Sequence, residues 1–533
     1  GPTICSCDNH SMGAGAYASG ETVYNTIESS PEHPLLKGNA FERVFPSAEN
    51  GMNDWPAYHG GSRHRGSSTV SVGKSTRIAW TATPDVPFRY TTAYNQCVDS
   101  FDERPVPPVC AGGFVFTAGS DGLVRAHAMS DGERAWSHPV SGAVLTSPAY
   151  AKGRLFVPCA DGSVYALDAG SGELVWKRRV APMERRIAVF GQLMSTWPVF
   201  SLAVQDGVVY ASAGMSVICG STTMALDAET GEIVWRRALD PTIAGSQQPP
   251  SGRAVGFGGV TAVVNDGVWV AGYGSLPLIL DRETGELPPM SKDVAKFRGQ
   301  FFNFRGTYTM QGQNLVAVSD RCLLAGGSAL LENQHLRAGK WKRVEYKMYF
   351  LDEKGQFDYT QVPVRIFNVA RTAPACDDRL VAFAAPPYVD KRGRVNRHAG
   401  RATQGLNVWR TEAFVAEARA MLQKNPLKTN VRWSDVSRPM DMSGALWRKP
   451  ELDINALVLS ADAVLAAHGT GGLPFEGWQL TAFERQTGEE IWSRQLPEEP
   501  LPNGIAIAAD GSIIVTMRSG SMVCILDDST RDR

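Results

Sequence analysis

The 533-residue sequence has almost no net charge and lacks long hydrophobic runs. Its 53 Lys and Arg residues nearly balance 54 Asp and Glu residues, which gives a formal net charge of −1. Because a nucleic-acid-binding protein usually carries a basic excess, we expect no nucleic-acid partner. No apolar stretch approaches the ~18 residues of a membrane-spanning helix, so we also expect no transmembrane segment.

The sequence also lacks the signatures of several enzyme classes. It contains no HExxH zinc motif, no glycine-rich phosphate loop between a strand and a helix, and no Ser-His-Asp order. No signal peptide is visible, and Gly1-Pro2 is either the remnant of a cleaved tag or a natural terminus. These absences identify no catalytic residue, so an enzyme and a binding protein both stay open.

What the sequence has in excess is glycine, arranged in a repeat. Glycine makes up 53 of 533 residues, above the usual ~7%, which suits many tight turns. The stretch Arg154–Trp176 predicts three short strands separated by two turns, the first at Asp161-Gly162. Similar segments end at Trp136, Trp235, Leu287 and Trp492. A unit of about 40 residues made only of strands and turns is typical of a propeller blade.

The form A-L-D-x-x-T-G-x-x-x-W, seen at 225–235, resembles the tryptophan-docking repeat of the pyrroloquinoline-quinone (PQQ)-like β-propellers. That superfamily includes quinoprotein alcohol dehydrogenases and the BamB-type outer-membrane assembly lipoproteins. The resemblance covers about residues 70–530. It implies an all-β fold, a single eight-bladed β-propeller with seven blades as the alternative, in which each Trp packs between neighbouring blades. It also implies a periplasmic or secreted location.

The predicted organisation is an irregular N-terminal arm over 1–54 and a propeller over 55–530. The propeller carries insertions at about 87–108, 183–198, 297–311 and 386–450. The segment Trp55–Gly66 resembles the lead-in that precedes the first blade of many PQQ-like propellers, and we expect Arg63, His64 and Arg65 on the surface or at strand ends. By the same resemblance, the strand Thr76–Thr81 pairs with the last blade and closes the ring.

One helix is predicted, over Thr411–Asn425. Thr411 can cap its N-terminus, and Asn425-Pro426 ends it. Its apolar residues fall on one face, which we expect to lie across the propeller: Phe414, Ala418, Met421 and Leu422.

Two insertions supply candidate ligand-binding residues. The first has the form R-R-I-x-x-x-G-Q-L-x-S-x-W-P, which resembles a segment of uncharacterised secreted PQQ-like proteins of planctomycete type. A loop that joins two blades in this way lies near the mouth of the axis. Its candidates are Arg185, Arg186, Gln192 and Trp197. The guanidinium groups can bind an anionic or sugar ligand, or they pair with acids and carbonyls on the rim.

The second candidate loop, 297–311, interleaves aromatic and basic residues. Its candidates are Arg298, Arg305 and Tyr308. Aromatic rings beside a positive charge suit a sugar ring, a quinone or a base. Packing between blades is the alternative.

The nine cysteines give a further candidate site and several core positions. Cys5, Cys7 and His10 can bind copper or zinc, although their spacing differs from the usual C-x2–4-C pairing. The alternatives are a disulfide or two free thiols. Cys97 and Cys110 flank a proline-rich loop and can form a disulfide in an oxidising compartment. The cysteines on or near predicted strands are expected to be free and buried: Cys159, Cys219, Cys322, Cys376 and Cys524.

Three functions are compatible with this pattern. The first is an extracytoplasmic propeller that binds a ligand, a glycan or a protein partner at its mouth without PQQ. The second is a quinoprotein oxidoreductase that uses PQQ and Ca2+. The third is a polysaccharide lyase or another glycan-processing enzyme. The sequence has neither the adjacent cysteine pair that many quinoprotein dehydrogenases carry nor a C-x-x-C-H haem motif. We therefore favour the first function.

Overall fold

The computed structural model describes residues 33–43, 54–88, 104–189, 192–214, 221–239, 259–271, 278–286, 314–326, 346–351, 364–367, 372–385, 404–424, 442–471 and 475–528. Within these ranges the chain is almost entirely β-structure with one α-helix. No helix in the described part of the chain is long and apolar enough to cross a membrane.

Two strands precede the first complete blade, and antiparallel sheets follow along the chain. The two are β1 (Leu35–Lys37) and β2 (Thr76–Ala82). Blade one has β3 (Val109–Ala111), β4 (Phe114–Thr117), β5 (Leu123–Ala128) and β6 (Arg134–Pro139). Blade two has β7 (Ala149–Ala151), β8 (Arg154–Pro158), β9 (Ser163–Asp168) and β10 (Leu174–Arg179). A separate hairpin follows, β11 (Arg186–Val189) and β12 (Gln192–Ser195).

The next three blades continue the pattern. Blade three has β13 (Val199–Gln205), β14 (Val208–Ala213), β15 (Ser221–Asp227) and β16 (Ile233–Leu239). Blade four has β17 (Thr261–Val264), β18 (Gly267–Val270) and β19 (Leu278–Asp281). Blade five has β20 (Asn314–Ser319), β21 (Cys322–Gly326), β22 (Tyr346–Phe350) and β23 (Val364–Phe367).

The last three blades include the helix. Blade six has β24 (Ala375–Cys376), β25 (Leu380–Ala385), β26 (Gly405–Arg410), α1 (Thr411–Lys424) and β27 (Trp447–Lys449). Blade seven has β28 (Ile454–Leu459), β29 (Ala463–Thr470), β30 (Gly477–Glu484) and β31 (Glu490–Leu496). Blade eight has β32 (Pro500–Ile507), β33 (Ile513–Met517) and β34 (Met522–Asp527). The predicted eight-bladed propeller is confirmed.

The ring is closed in blade eight, where a strand from the start of the propeller pairs with the last strand. Strand β2 pairs antiparallel with β34, with Thr76 opposite Asp527 and Ala82 opposite Met522. Blade eight therefore has its outermost strand from the start of the propeller and its inner three strands from the end. This pairing confirms the predicted role of the Thr76–Thr81 strand. Closure leaves no free ends of the ring at which another chain could pair.

The repeat motif builds a turn and docks a tryptophan on it. In blade three, Asp227 accepts hydrogen bonds from the backbone N–H groups of Glu229 and Thr230. Gly231 follows with φ +70°. The indole N–H of Trp176 in blade two donates to the Ala228 carbonyl at 3.2 Å. The described residues contain five further contacts of this kind: Trp80 to Met129, Trp136 to Ala169, Trp235 to Arg282, Trp447 to Arg485 and Trp492 to Gly73.

The predicted helix is present as α1, but it packs against two blades. Phe414 and Ala418 are fully buried. Phe414 contacts Phe383 and Trp409 of blade six, each with ring centroids 5.9 Å apart, and the same cluster includes Phe350 of blade five. The helix begins directly after β26, so its apolar stripe covers the core between blades five and six. The Thr411 hydroxyl donates to the Asp377 carbonyl, which anchors the start of the helix to blade six.

The described part of the predicted N-terminal arm contains a strand. β1 pairs antiparallel with β10 and becomes a fifth strand on the outer edge of blade two. The ring nitrogen Nδ1 of His33 lies 3.1 Å from the Arg179 carbonyl, just beyond this pairing. The arm therefore covers a blade edge that would otherwise expose unpaired backbone groups.

The cysteines of the blades are free and buried, as predicted for the strand group. This holds for Cys159, Cys322, Cys376 and Cys524; Cys219 lies outside the described residues. Cys110 is also a free, buried thiol. It lies in β3, where its backbone pairs with Trp55. Cys97, its candidate disulfide partner, lies outside the described residues.

Candidate functional site at the propeller axis and mouth

The segment that leads into the first blade runs around the propeller axis. We call residues 54–72 the axial thread. Its backbone and one serine side chain bond to the innermost strands or their ends in blade order. The contacts are Trp55 with Cys110 (blade one), Pro56 with Tyr150 (two), Ser62 with Gln205 (three) and Val263 (four), Arg63 with Ala317 (five), Arg65 with Cys376 (six) and Gly66 with Leu459 (seven). The thread therefore ties seven consecutive blades together.

One tyrosine of the thread crosses the axis. The hydroxyl of Tyr58 donates to Asn314 Oδ1 of blade five at 2.9 Å and accepts from Asn503 Nδ2 of blade eight at 3.1 Å. Because blades five and eight are not neighbours, the phenol spans the centre of the ring. Asn314 also donates to the Tyr346 hydroxyl, and Asn503 accepts from Thr372. Every member of this network is buried.

Two histidines of the thread are buried beside Tyr58. Nδ1 of His59 lies 3.0 Å from the His64 carbonyl, and Nδ1 of His64 lies 3.2 Å from the Leu315 carbonyl. Each Nδ1 therefore carries the proton that it donates. Burial lowers the pKa of His59 to about 4 and that of His64 to about 3. Both rings are therefore neutral at pH 7.

A narrow cavity lies against Tyr58, at the end of the axis where the innermost strands begin. Its volume is about 20 Å3, which is room for a water-sized group. Blades one, two and eight supply its walls together with the thread. The lining residues with polar side chains are Tyr58, Arg104, Thr146 and Asn503, and the rest of the wall is proline and aliphatic.

The β11–β12 hairpin lies at the same end, between blades two and three. Arg186 pairs with Ser195 across the hairpin, and its side chain is exposed. Leu193 on the opposite strand is 58% exposed. The N–H of Ser195 donates to the Ala160 carbonyl of blade two at 2.7 Å, and that of Thr196 to the Arg185 carbonyl at 2.9 Å. The hairpin is thus anchored to a blade while its β-strands carry exposed side chains.

A charged cluster lies at the base of the hairpin, in the β8–β9 turn of blade two. Lys177 Nζ is 2.8 Å from Asp161 Oδ2, and the Tyr165 hydroxyl donates to the same oxygen at 2.8 Å. Burial alone would raise the pKa of Asp161, but the Lys177 charge and these hydrogen bonds outweigh it and hold the pKa below its usual value. Burial and the Asp161 charge raise the pKa of Tyr165 to about 12. In the sequence, Asp161 indicates only a turn. No sequence pattern indicates that Lys177 pairs with it.

The structure places the predicted ligand-binding residues that it describes in different environments. Arg185 and Arg186 lie at the start of the hairpin, and Gln192 begins β12. Trp197 is fully buried in the core between blades two and three and exposes no surface to a ligand. The remaining candidates lie outside the described residues: Arg298, Arg305, Tyr308, Cys5, Cys7 and His10.

The eight blades and their docked tryptophans define a PQQ-like β-propeller, and the comparisons with known proteins agree. The sequence model of the family described as "Outer membrane protein assembly factor BamB" matches residues 67–197. BamB of Yersinia pestis is 30% identical over 137 residues, which is 25% of this chain and 33% of BamB. Tetrathionate hydrolase of Acidithiobacillus ferrooxidans is 21% identical over 264 residues, 49% of this chain and 45% of the hydrolase.

The solved structures show the same fold. A quinohemoprotein alcohol dehydrogenase from Pseudomonas putida HK5 is 14% identical, with a TM-score of 0.52 over 92% of this chain and 84% of that one. The resemblance to PQQ-like propellers is thus confirmed. The chain spans less than half the length of the two curated relatives that it matches.

The residues that the structure describes at the axis do not fit PQQ with its Ca2+. The described cavity of about 20 Å3 has room for about one water-sized group. Tyr58 of the thread occupies the adjacent part of the axis. Within the described ranges, no three His, Cys, Asp or Glu side chains lie close enough together to hold a metal ion.

Proposed function

We propose that this chain is an extracytoplasmic binding propeller that contacts a protein partner at its mouth through the β11–β12 hairpin. The observation that carries the proposal is that the axis is filled, as far as the described residues define it. Tyr58 joins blades five and eight, and the cavity beside it admits only a water-sized group. A deep cofactor or substrate pocket is the feature that a propeller enzyme needs, whereas a partner-binding propeller needs an exposed and rigid rim.

The hairpin supplies such a rim. It presents Arg186 and Leu193 to solvent from a base fixed to blade two. Arginine is enriched at protein interfaces and among their hot-spot residues, and covering an exposed leucine beside it removes apolar surface from water. The matched segment of the BamB family model, 67–197, includes the whole hairpin. That family is named for an outer-membrane protein assembly factor, which supports a location outside the cytoplasm and a protein partner.

The functions that involve a glycan, and the copper or zinc site, depend on residues outside the described ranges. A glycan ligand, or a glycan-processing enzyme, draws on Arg298, Arg305 and Tyr308 of the second loop, and both stay predictions. Copper or zinc at Cys5, Cys7 and His10 stays a prediction for the same reason.

Site-specific photo-crosslinking tests the partner site. A photoreactive phenylalanine analogue at Leu193 should give a discrete crosslinked adduct in cells that produce the protein naturally. The matched control is the same analogue at Val234, which is 56% exposed on the outer strand of blade three. We expect no adduct there, and we expect Arg186→Glu to remove the adduct at 193. The absence of an adduct at 193, or the same adduct at both positions, would contradict the proposal.

A further inference from the structure

The turn between β8 and β9 of blade two holds both ends of the β11–β12 hairpin. Its Gly162 carbonyl accepts hydrogen bonds from the N–H groups of Val180 and Ala181, which lead into the hairpin, each at 2.9 Å. Its Ala160 carbonyl accepts from the Ser195 N–H, at the end of the hairpin, at 2.7 Å. The chain therefore enters and leaves the hairpin through contacts with a single turn.

The turn and the hairpin ends are packed directly against each other. Gly162 has φ +89°, and a Cβ added to it would lie 2.6 Å from the Ala181 Cβ and 3.0 Å from the Ser195 Oγ. The first distance is shorter than real contacts allow, so no side chain fits between the turn and the hairpin ends. Because the packing leaves no gap, a displacement of the turn displaces the hairpin with it.

An ion pair fixes the conformation of this turn. Oδ1 of Asp161 accepts from the Ser163 N–H at 2.9 Å. Its Oδ2 accepts from the Tyr165 hydroxyl and pairs with Lys177 Nζ, both at 2.8 Å. The Asp161 side chain is only 3% exposed, so its charge needs the Lys177 cation as a partner in place of water. Lys177 lies in β10, opposite Tyr165, and therefore joins the turn to the outer part of the blade.

Blade one contains the equivalent turn, between β4 and β5, without a hairpin. The Gly122 carbonyl accepts from the Val140 N–H at 2.8 Å, and Val140 belongs to the segment that runs directly to blade two. Asp121 forms an ion pair with Arg125 of β5. In blade two the cation comes instead from Lys177 of the next strand, and the turn holds two segments instead of one. Blade one is therefore an internal reference for an ion pair on a turn that carries no hairpin.

We propose that Asp161 and Lys177 are positioning residues for the partner site, because their ion pair fixes the turn that holds both ends of the hairpin. The pair thereby sets the direction in which Arg186 and Leu193 face the partner. This inference rests on the proposed function of the hairpin. A site whose parts are held in place before binding loses less conformational entropy on association. The ion pair should therefore strengthen partner binding through the hairpin rather than through contacts of its own.

Hydrogen–deuterium exchange of the purified full chain tests the positioning role without a partner. Lys177→Met removes the cation of the pair, so the amide groups of Val180, Ala181 and Ser195 should exchange about tenfold faster. Lys177→Arg keeps the charge and should keep the protection of these amides. Arg125→Met is the matched control, because it removes the ion pair of the equivalent turn in blade one, and it should leave the three amides unchanged.

Photo-crosslinking at Leu193 gives the corresponding measurement for the partner. The yield of the adduct should fall in Lys177→Met, although the side chains of the hairpin are unchanged, and it should stay the same in Arg125→Met. Unchanged exchange in Lys177→Met, or equally faster exchange in all blades, would overturn the positioning role. The absence of an adduct in the unsubstituted chain would instead contradict the proposed function, so the two failures are distinguishable.

A double variant keeps the proposal testable if Lys177→Met does not fold. Asp161→Asn combined with Lys177→Met contains no unpaired buried charge, and the carboxamide oxygen can still accept from the Ser163 N–H. We expect this chain to fold with a hairpin whose three amides exchange faster than in the unsubstituted chain. Equal exchange rates of these amides in the two chains would overturn the proposal.

Discussion

At the scale of single residues, the axis is closed by side chains whose chemistry depends on being buried. Tyr58 can bridge two distant blades because its hydroxyl both donates and accepts, and each bond meets an asparagine from a different strand. His59 and His64 can lie beside it only as neutral rings, since a buried imidazolium without an acidic partner is unfavourable. The closed axis is therefore stable only at pH values at which both rings stay neutral.

We predict that stability falls as the pH drops below about 6.5. The pKa of each histidine is lower in the folded chain, about 4 for His59 and about 3 for His64, than the ordinary value of 6.5. Between these values the unfolded chain binds more protons, so protonation favours unfolding. Each histidine should remove an amount of the order of 3 kcal/mol from the free energy of unfolding. Urea unfolding measured from pH 7 to pH 4 checks this.

The variant that isolates this effect is His64→Asn, because asparagine tolerates the φ of +52° at this position. It should unfold with a shallower dependence on pH than the unsubstituted chain. His138→Asn is the comparison. Burial lowers the pKa of His138 as well, but this residue is only partly buried on the outer strand of blade one, so its variant should change the pH dependence less. If the free energy of unfolding depends equally on pH in the His64 variant and the unsubstituted chain, burial does not keep His64 neutral, and the prediction is wrong.

The residue scale also shows the limits of reading the sequence. We predicted His64 on the surface or at a strand end and Trp197 at a ligand, and both are buried. Nothing local distinguishes a loop histidine that enters an axis from one that faces solvent, because the difference comes from contacts with Leu315, more than 250 positions away. In contrast, Arg63 and Arg65 do reach the surface and form ion pairs with Asp320 and Asp378.

At the scale of elements, the recurring unit is a tight turn that carries a docked tryptophan. A Cβ added to Gly231 would lie 2.8 Å from the Trp176 ring, which is closer than real contacts allow. The turn glycine is therefore required for two reasons, its left-handed conformation and the ring above it. This is why the T-G-x-x-x-W spacing predicts blades so well: one short segment specifies both the turn and the contact between blades.

Two glycines of blade three allow the effect of the left-handed backbone and the effect of the tryptophan contact to be measured separately. Gly207 has φ +77° with nothing within 4 Å of its added Cβ, whereas Gly231 has φ +70° beneath Trp176. We predict that Gly207→Ala costs about 1 kcal/mol, the backbone strain alone. Gly231→Ala should cost about 3 kcal/mol, because it also displaces the indole. Chemical denaturation of both variants measures the difference, and equal losses would show that the tryptophan contact adds nothing.

For the helix, the sequence predicts the extent and the buried face but not the position in the fold. Its extent and its buried face, with Phe414 and Ala418, followed from the spacing of apolar residues. Its place against blades five and six did not follow. The position is set by Phe350 and Phe383, which belong to strands distant in sequence.

At the scale of the whole molecule, the ring is held by two devices that use the same N-terminal region. β2 completes blade eight, and the axial thread bonds to blades one to seven. The first device was predictable, because PQQ-like propellers close in this way. The second was not, because the thread has no periodicity and its bonds are made mainly by backbone groups, which any sequence offers.

The central claim is that the axis of this propeller is filled by its own thread, so that binding occurs at the rim. Titration of the purified full chain with PQQ in the presence of Ca2+, followed by absorbance and by calorimetry, tests this claim most directly. Since the described cavity is about 20 Å3 and Tyr58 spans the axis, we predict no stoichiometric binding. Binding of one PQQ per chain that depends on Ca2+ would contradict the account and would indicate a quinoprotein oxidoreductase.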